Sequence, residues 1–531
     1  MRRLQVDGSI EMLNRRRVEV PSPVEGEDRS LRATFRPYRN CIVVLGFCLI
    51  VLSVLSCLPY APQGPFDARD FTRVAGVRLE ISPLEALFEP FASPILVLAG
   101  SPDFATACFY SVIWILFGAA LWGMLAKFRV QNRKKPLAIV IAGIRSVGIV
   151  ISTLGLIGFL FVIARVPGWR LAVDNPDLIV ADLHSHTTKS HDAIMSLKTN
   201  LGLHASCGYN LVGLTEHDVY FPHETEVAGD SSFDRLPPFI SGVEVHTGPG
   251  AMVVGICRDS RFQFEQHGGD SPPDRTAIFS KRIHEECGGV VIALSMKRIK
   301  PGRVPELADA GVDGFEIANA GHPELRPELR QALLEVSRSH GVVLVGSTDW
   351  HGWTGLTRAW TVIRGPGSST LSRQQRVDLA IQKIREHDTK NVIPVIAGFI
   401  GDPSPVRAIF SPFAEGLRYA QELSPLRVIS WWVWVWGIFG LWVFLKSKGF
   451  RPEDILFLSV IGLTGLGLII AGFSQIGEAA GTATPYPYHM GLITLAIGAV
   501  AAGCSVSGLL MRRKERAGLR SLDQTLHKEV G

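Results

Sequence analysis

Six long apolar runs, three near the start and three near the end, flank a middle stretch where short apolar runs alternate with charged ones. The long runs lie at about 41–59, 107–126, 139–164, 428–445, 455–473 and 490–511. A helix needs roughly 20 apolar residues to cross a bilayer, so the pattern predicts six transmembrane helices in two groups of three. The middle, residues 175–400, carries strand-like runs at 178–181, 211–214, 239–243, 290–293, 312–317 and 342–345. Helix-like segments fall between them, at 197–208, 277–286 and 326–339 among others. Repeated strand–helix units predict an α/β barrel-like domain with its site at one end of the strands.

Composition agrees with membrane insertion: 47% of residues are hydrophobic and 19% charged. The net charge of +5 is small, and the basic residues gather at the ends of apolar runs. That pattern is topological and argues against a nucleic-acid partner. Residues 1–39 read as a disordered basic cytoplasmic arm, and the 41–59 run reads as an uncleaved anchor. Lys127, Arg129, Arg133, Lys134 and Lys135 follow the second run, and Lys446, Lys448 and Arg451 follow the fourth. The tail 512–531 opens with Arg512, Arg513 and Lys514, whereas 474–489 has no Lys or Arg. The positive-inside rule then puts both termini in the cytoplasm and the middle domain outside, on the periplasmic side if the membrane is a bacterial inner one. Trp431, Trp432, Trp434 and Trp436 read as an interfacial anchor. The eight cysteines form no C-x-x-C pair, and Cys207, Cys257 and Cys287 in the middle are read as buried thiols.

The chemistry sits where the strand-like runs end. The first leads into Asp182, His184 and His186. Residues two apart on a strand share a face, so His184 and His186 form a two-imidazole grip. An H-x-H alone does not make a metal site. Here Asp192 follows six residues on, His217 and Glu244 end the next two runs, and Asp349 and His351, again two apart, end the last.

The phrases DLHSHT, TEHD, GVEV, GVDGFEIAN and GSTDWHG resemble, in order and approximate spacing, the motifs of the polymerase-and-histidinol-phosphatase (PHP) family across about 175–360. The resemblance implies a distorted seven-stranded (β/α) barrel inserted between the two groups of transmembrane helices. It implies a metal-dependent hydrolase, mostly of phosphate esters. Carried over residue by residue, it implies one divalent ion on His184, His186, Asp349 and the bridging Glu244. A second would sit on Asp192, His217 and His351. Mixed imidazole and carboxylate ligands suit Mn, Fe or Zn. Such ions acidify a shared water and offset charge on phosphate oxygens, so no protein nucleophile is required.

The chain departs from the family at two positions belonging to a third metal: Leu294 and Asn319 stand where the family carries histidines. That site is expected to be absent, and His322 is read as a solvated loop residue. Glu216 replaces an Asp of the second motif and is read as orienting its neighbours. His191 and His246 are read as outlying or exposed. Lys297 and Arg298 would lie beside the site, where a basic side chain can hold a phosphate. The leading expectation is a membrane-anchored phosphoesterase acting on a substrate outside the cytoplasm. A carboxylic-ester or amide hydrolase with the same site, and a metal-binding sensory module coupled to the spans, are the alternatives.

Overall fold

The computed structural model describes residues 38–58, 64–90, most of 169–397 and 405–447, with scattered helical positions in 110–124 and 462–506. The expected span 139–164, the loop 127–135, the tail 512–531, Lys297, Arg298 and His322 lie outside the described residues. The chain divides into two units, Met1–Leu52 and Ser53–Gly531.

Two helices among the described residues are long and apolar enough to cross a membrane, Arg39–Ser56 and Pro425–Ser447. They cover the first and fourth expected spans. Gly491–Val500, within the sixth, is apolar but short. Of the six expected spans, two thus coincide with helices of sufficient length and apolarity among the described residues, and six are not shown.

The second unit holds twelve described strands: β1 (Phe66–Asp67), β2 (Val77–Glu80), β3 (Arg170–Val173), β4 (Leu178–Ser185), β5 (Leu211–His217), β6 (Phe239–Gly248), β7 (Ala251–Ile256), β8 (Val290–Ala293), β9 (Gly314–Asn319), β10 (Val343–Ser347), β11 (Ala359–Arg364) and β12 (Val392–Ile396). Ten form one sheet in the order β1-β12-β11-β4-β5-β6-β7-β8-β9-β10. β4, β5 and β6 pair in parallel, as do β8, β9 and β10. β7 is antiparallel to both neighbours, and β11 is antiparallel to β4 and β12. β4, β5, β6, β8, β9, β10 and β12 therefore run one way, with β7 and β11 inserted against them. The simple (β/α) alternation expected from the pattern is corrected to this mixed sheet. β7 follows β6 through a tight turn that needs no crossover helix, whereas helices Thr276–Glu286 and Arg373–Arg385 lie between β7 and β8 and between β11 and β12.

The sheet curls until β10 meets β4. Asp349 N donates to His184 O at 2.8 Å, and His186 N donates to Trp350 O at 3.0 Å. All eight residues of β4 are buried, as a strand covered on both faces requires. Helix Pro327–His340 shows why the covering layer forms where it does. It starts with Pro at its first turn, buries Leu329, Leu333 and Val336 at helical spacing, and ends at Gly341 with φ 73°. Only glycine takes that left-handed cap without steric cost.

Residues 64–80 also belong to this fold. β1 pairs with β12, and β2 pairs with β3. The cysteine expectation is corrected in part: Cys257 and Cys287 form a disulfide, while Cys207 is a buried thiol that burial pushes up to about 12.

Candidate metal centre

The strand ends bring the expected residues together. β5 and β6 pair so that His217 stands beside Glu244. The β10–β4 contact sets Asp349 beside His184, through the backbone bond above and a bridge between Ser185 and Trp350. The β4–β5 register slips between Asp182 and Ser185, a bulge that turns the chain next to the site. Gly213 allows it, because a Cβ there would lie 2.9 Å from Leu183 O. Asp218 and Asp349 take φ of 60° and 50°, left-handed backbone that Asp tolerates better than most residues.

His184, His186, Glu244 and Asp349 form a buried group whose ligand atoms lie close enough to share one metal ion. His184 Nε2 is 3.1 Å from His186 Nε2, 3.1 Å from Glu244 Oε2 and 3.3 Å from Asp349 Oδ1. His186 Nε2 lies 3.2 Å from Glu244 Oε2 and 3.3 Å from Asp349 Oδ1. His217, His351 and His186 form a second such group. Asp192 Oδ1 adds to it, 3.2 Å from His217 Nε2 and 3.4 Å from His351 Nε2. Glu244 Oε2 also lies 3.2 Å from His217 Nδ1, so this carboxylate touches both groups.

The surroundings decide which imidazole nitrogens carry protons. His184 Nδ1 is 2.9 Å from Glu316 Oε1, and a carboxylate only accepts, so Nδ1 is the donor. His186 Nδ1 is 3.2 Å from Ser190 Oγ. That hydroxyl gives its single proton to Glu216 Oε2 at 2.6 Å, so it accepts from His186 Nδ1. Both Nε2 atoms of the neutral rings are then lone pairs. They face each other and two carboxylate oxygens at 3.1–3.3 Å. Glu244 Oε1 is buried with no hydrogen-bond partner. Converging acceptors with their protons committed outward repel unless positive charge lies among them, either a metal ion or a further proton on the rings. The donor set of imidazole nitrogen and carboxylate oxygen fits a divalent metal.

The electrostatics carry the same signature. Burial disfavours charge on His184, yet Asp349, Glu316 and Glu244 outweigh it and raise its pKa well above the ordinary value. Burial would raise Glu244, but His184, His186 and His217 hold it well below the carboxylate range. Asp192 is likewise brought down to about 2, chiefly by His217 against the effect of burial. His217 rises to about 10, because Asp192 and Glu244 outweigh its burial. His351 falls to about 4 through burial and the neighbouring His186. A centre this negative attracts cations.

The centre opens on one side. His184, His186 and Glu244 are sealed, whereas His217, His351 and Asp192 are 16%, 13% and 40% exposed. His191 is exposed, with its ring 5.2 Å from that of His217, and His246 is exposed on β6. Leu294 is buried among apolar side chains, and Asn319 Nδ2 donates to Glu316 Oε2 at 3.0 Å. Both residues at the expected third site therefore serve the fold.

Several supporting residues escaped the sequence reading. Glu316 lies inside the strand-like run 312–317 with no role read for it, yet it accepts from His184 Nδ1 and orients that ring. Asp182 joins the two turns that carry the candidate ligands: it accepts from His184 N at 3.2 Å, Thr348 N at 3.1 Å and His204 Nε2 at 2.9 Å. Glu216 does orient its neighbours. It accepts from the amide and hydroxyl of Thr187, from Ser190, and from His223 Nε2 at 2.9 Å. His223 carried no sequence signal, because nothing in its spacing separates it from a surface histidine.

Fold and side chains together define an α/β domain with a His/Glu/Asp cluster able to hold divalent metal. No protein family matches the chain, and no curated protein matches it. Among solved structures, a candidate metal-dependent phosphoesterase from Bifidobacterium adolescentis is 17% identical, matching 33% of this chain and 90% of its own with a TM-score of 0.27. An amidohydrolase from Chromobacterium violaceum, with bound sulfate and no metal, is 16% identical, matching 32% and 87% with a TM-score of 0.26. Likenesses this distant leave the chemistry to be argued from the side chains themselves.

Proposed function

We propose that the domain is a divalent-metal-dependent phosphoesterase held on the outer face of a membrane. One observation carries the reading: four acceptor atoms, His184 Nε2, His186 Nε2, Glu244 Oε2 and Asp349 Oδ1, converge with the ring protons committed to Glu316 and Ser190. His184, His186, Glu244 and Asp349 would hold one ion, and Asp192, His217 and His351 a second. When bound, such ions polarise a phosphoryl oxygen and acidify the attacking water. Glu316 and Ser190 keep the two Nε2 lone pairs aimed inward. The half-exposed Asp192 marks the side from which substrate would enter. Lys297 and Arg298 are the proposed phosphate holders. The resemblance of five ordered motifs to the PHP family supports phosphate esters over other esters.

The test is a panel of chromogenic phosphate and carboxylic esters and amides, run on the purified full chain with added Mn, Fe or Zn. Metal-dependent phosphate-ester hydrolysis, abolished by His184→Ala, is expected. Hydrolysis of carboxylic esters or amides alone would redirect the reading to those substrates. Bound metal without any hydrolysis would turn it into a sensory module.

Three observations support the membrane placement. The β2–β3 pairing holds residues 77–80 and 170–173 on one side of any membrane, so the chain between them crosses an even number of times. Expected spans at 107–126 and 139–164 satisfy that parity. The β1–β12 pairing likewise keeps residue 66 with residue 396, after the first span and before the fourth. The Cys257–Cys287 disulfide belongs to an oxidising compartment, which agrees with a domain outside the cytoplasm. Six spans with both termini inside complete this reading.

A further inference from the structure

Helix Pro405–Gln421 lies between the hydrolase domain and the apolar helix Pro425–Ser447. Ile409, Phe410, Phe413 and Leu417 on it are 38%, 51%, 56% and 47% exposed. At about 100° per residue these four positions fall within an arc of about 100°. Arg418 and Tyr419 lie about 130° to either side of the centre of that arc on the same wheel. The helix is thus two-faced, with its apolar face about half exposed among the described residues.

Contacts on another side of the helix fix its roll. Tyr419 Oη donates to Glu89 Oε1 at 2.7 Å, and Trp431 Nε1 donates to Tyr419 Oη at 2.7 Å. Arg427 donates to both oxygens of Glu89 at 2.7 Å. Glu89 and Arg427 are both buried, so this clamp is a rigid joint between the segment 83–90, the two-faced helix and the start of helix Pro425–Ser447. Trp114 stands against the apolar arc. Its indole is 5.0 Å from the Phe413 ring, and its Nε1 donates to Ile409 O at 2.9 Å. Trp114 belongs to the expected span 107–126, so the arc borders an apolar segment.

We propose that helix Pro405–Gln421 lies flat in the headgroup–acyl boundary of the outer leaflet, with Ile409, Phe410, Phe413 and Leu417 inserted into lipid. This rests on the membrane reading of helix Pro425–Ser447. Continuity decides the occupant: the helix ends four residues before a 23-residue apolar helix whose own Val433 is 61% exposed. An interfacial helix with one apolar arc and flanking polar residues binds lipid surfaces in this way. The consequence is a hydrolase domain held close to the bilayer surface by a joint, rather than trailing on a loop.

The test uses the full chain in native membranes, with p-benzoylphenylalanine replacing Phe410, Phe413, Leu417, Arg418 or Val433 one at a time. After irradiation, mass spectrometry identifies what is attached. Lipid adducts at 410, 413, 417 and 433, lost at 418, are expected. Lipid adducts at 433 but protein adducts, or none, at 410, 413 and 417 overturn the interfacial helix alone. Absence of lipid adducts at 433 overturns the membrane reading on which it rests.

Discussion

Glu316→Gln changes one atom in a buried carboxylate and tests the proton arrangement at the centre. Glu316 accepts from His184 Nδ1 at 2.9 Å and from Ser347 Oγ on one oxygen, and from Asn319 Nδ2 at 3.0 Å on the other. Glutamine has one acceptor and one amide donor. If its oxygen faces His184, its NH2 meets the Asn319 NH2, donor against donor. If it turns round, His184 must present a lone pair at Nδ1, and its proton moves to Nε2 in the middle of the metal centre. Either outcome forfeits a charge-assisted hydrogen bond worth about 1.5–3 kcal/mol. The matching expectation for a residue that orients a metal-binding histidine is a 10–100-fold loss of metal affinity, roughly 1.4–2.7 kcal/mol. Competition against a chromophoric chelator measures it on purified protein, and thermal unfolding of the metal-free variant checks that the fold survives. Glu316→Gln combined with Asn319→Asp restores an acceptor for the glutamine NH2 and should recover most of the affinity. Unchanged affinity in the single variant would refute the assignment of His184 Nε2 as a lone pair facing the metal.

Three other outcomes follow from geometry elsewhere in the domain. Glu216, held at a pKa of about 2 mainly by His223 against its burial, is half of a buried pair. Glu216→Gln should cost about 3–5 kcal/mol in denaturant unfolding, since breaking one side of such a pair strands the other. Asp313 is buried and held below the ordinary carboxylate value: burial raises it, but His284 at 2.7 Å and the Val291 amide outweigh that. A lowered folded pKa contributes stability that is complete above about pH 4 and drains as pH falls through the folded value. Unfolding curves of wild type and Asp313→Asn should therefore converge on acidification and stay apart at neutral pH. The Cys257–Cys287 disulfide closes a loop with a sequence separation of 30, so reduction or a double Cys→Ser change should cost about 3–4 kcal/mol. Equal stability of the reduced and oxidised protein would show that the bond is not formed in the folded chain.

The legible parts of this fold are those with a local period. β4, β5, β6, β8, β9 and β10 announce themselves as apolar runs ending in polar residues. β7 is not legible because it follows β6 so closely that no helix marks the boundary, and β11 because its pairing with the sequence-distant β4 leaves no local pattern. β12 contains Pro394, which argues against a strand until its place next to the sheet edge is known. β1 is two residues long and pairs with a strand more than three hundred residues away. No local pattern encodes that. At the site, H-x-H was readable because strand alternation fixes two side chains at once. Glu316, 132 residues from His184, was not assigned its role, because only the curled sheet brings them together. Cys257 and Cys287 were missed for the same reason: an odd count of cysteines cannot say which two meet.

The central claim is that His184, His186, Glu244 and Asp349 hold a divalent metal that the chain uses for hydrolysis. Metal analysis of the purified full chain by inductively coupled plasma mass spectrometry, alongside Asp349→Ala, tests it most directly. The account predicts stoichiometric transition metal in the wild type and its loss, together with phosphate-ester hydrolysis, in the variant. A wild type that retains no transition metal, or an Asp349→Ala protein that binds and hydrolyses as the wild type does, would contradict it.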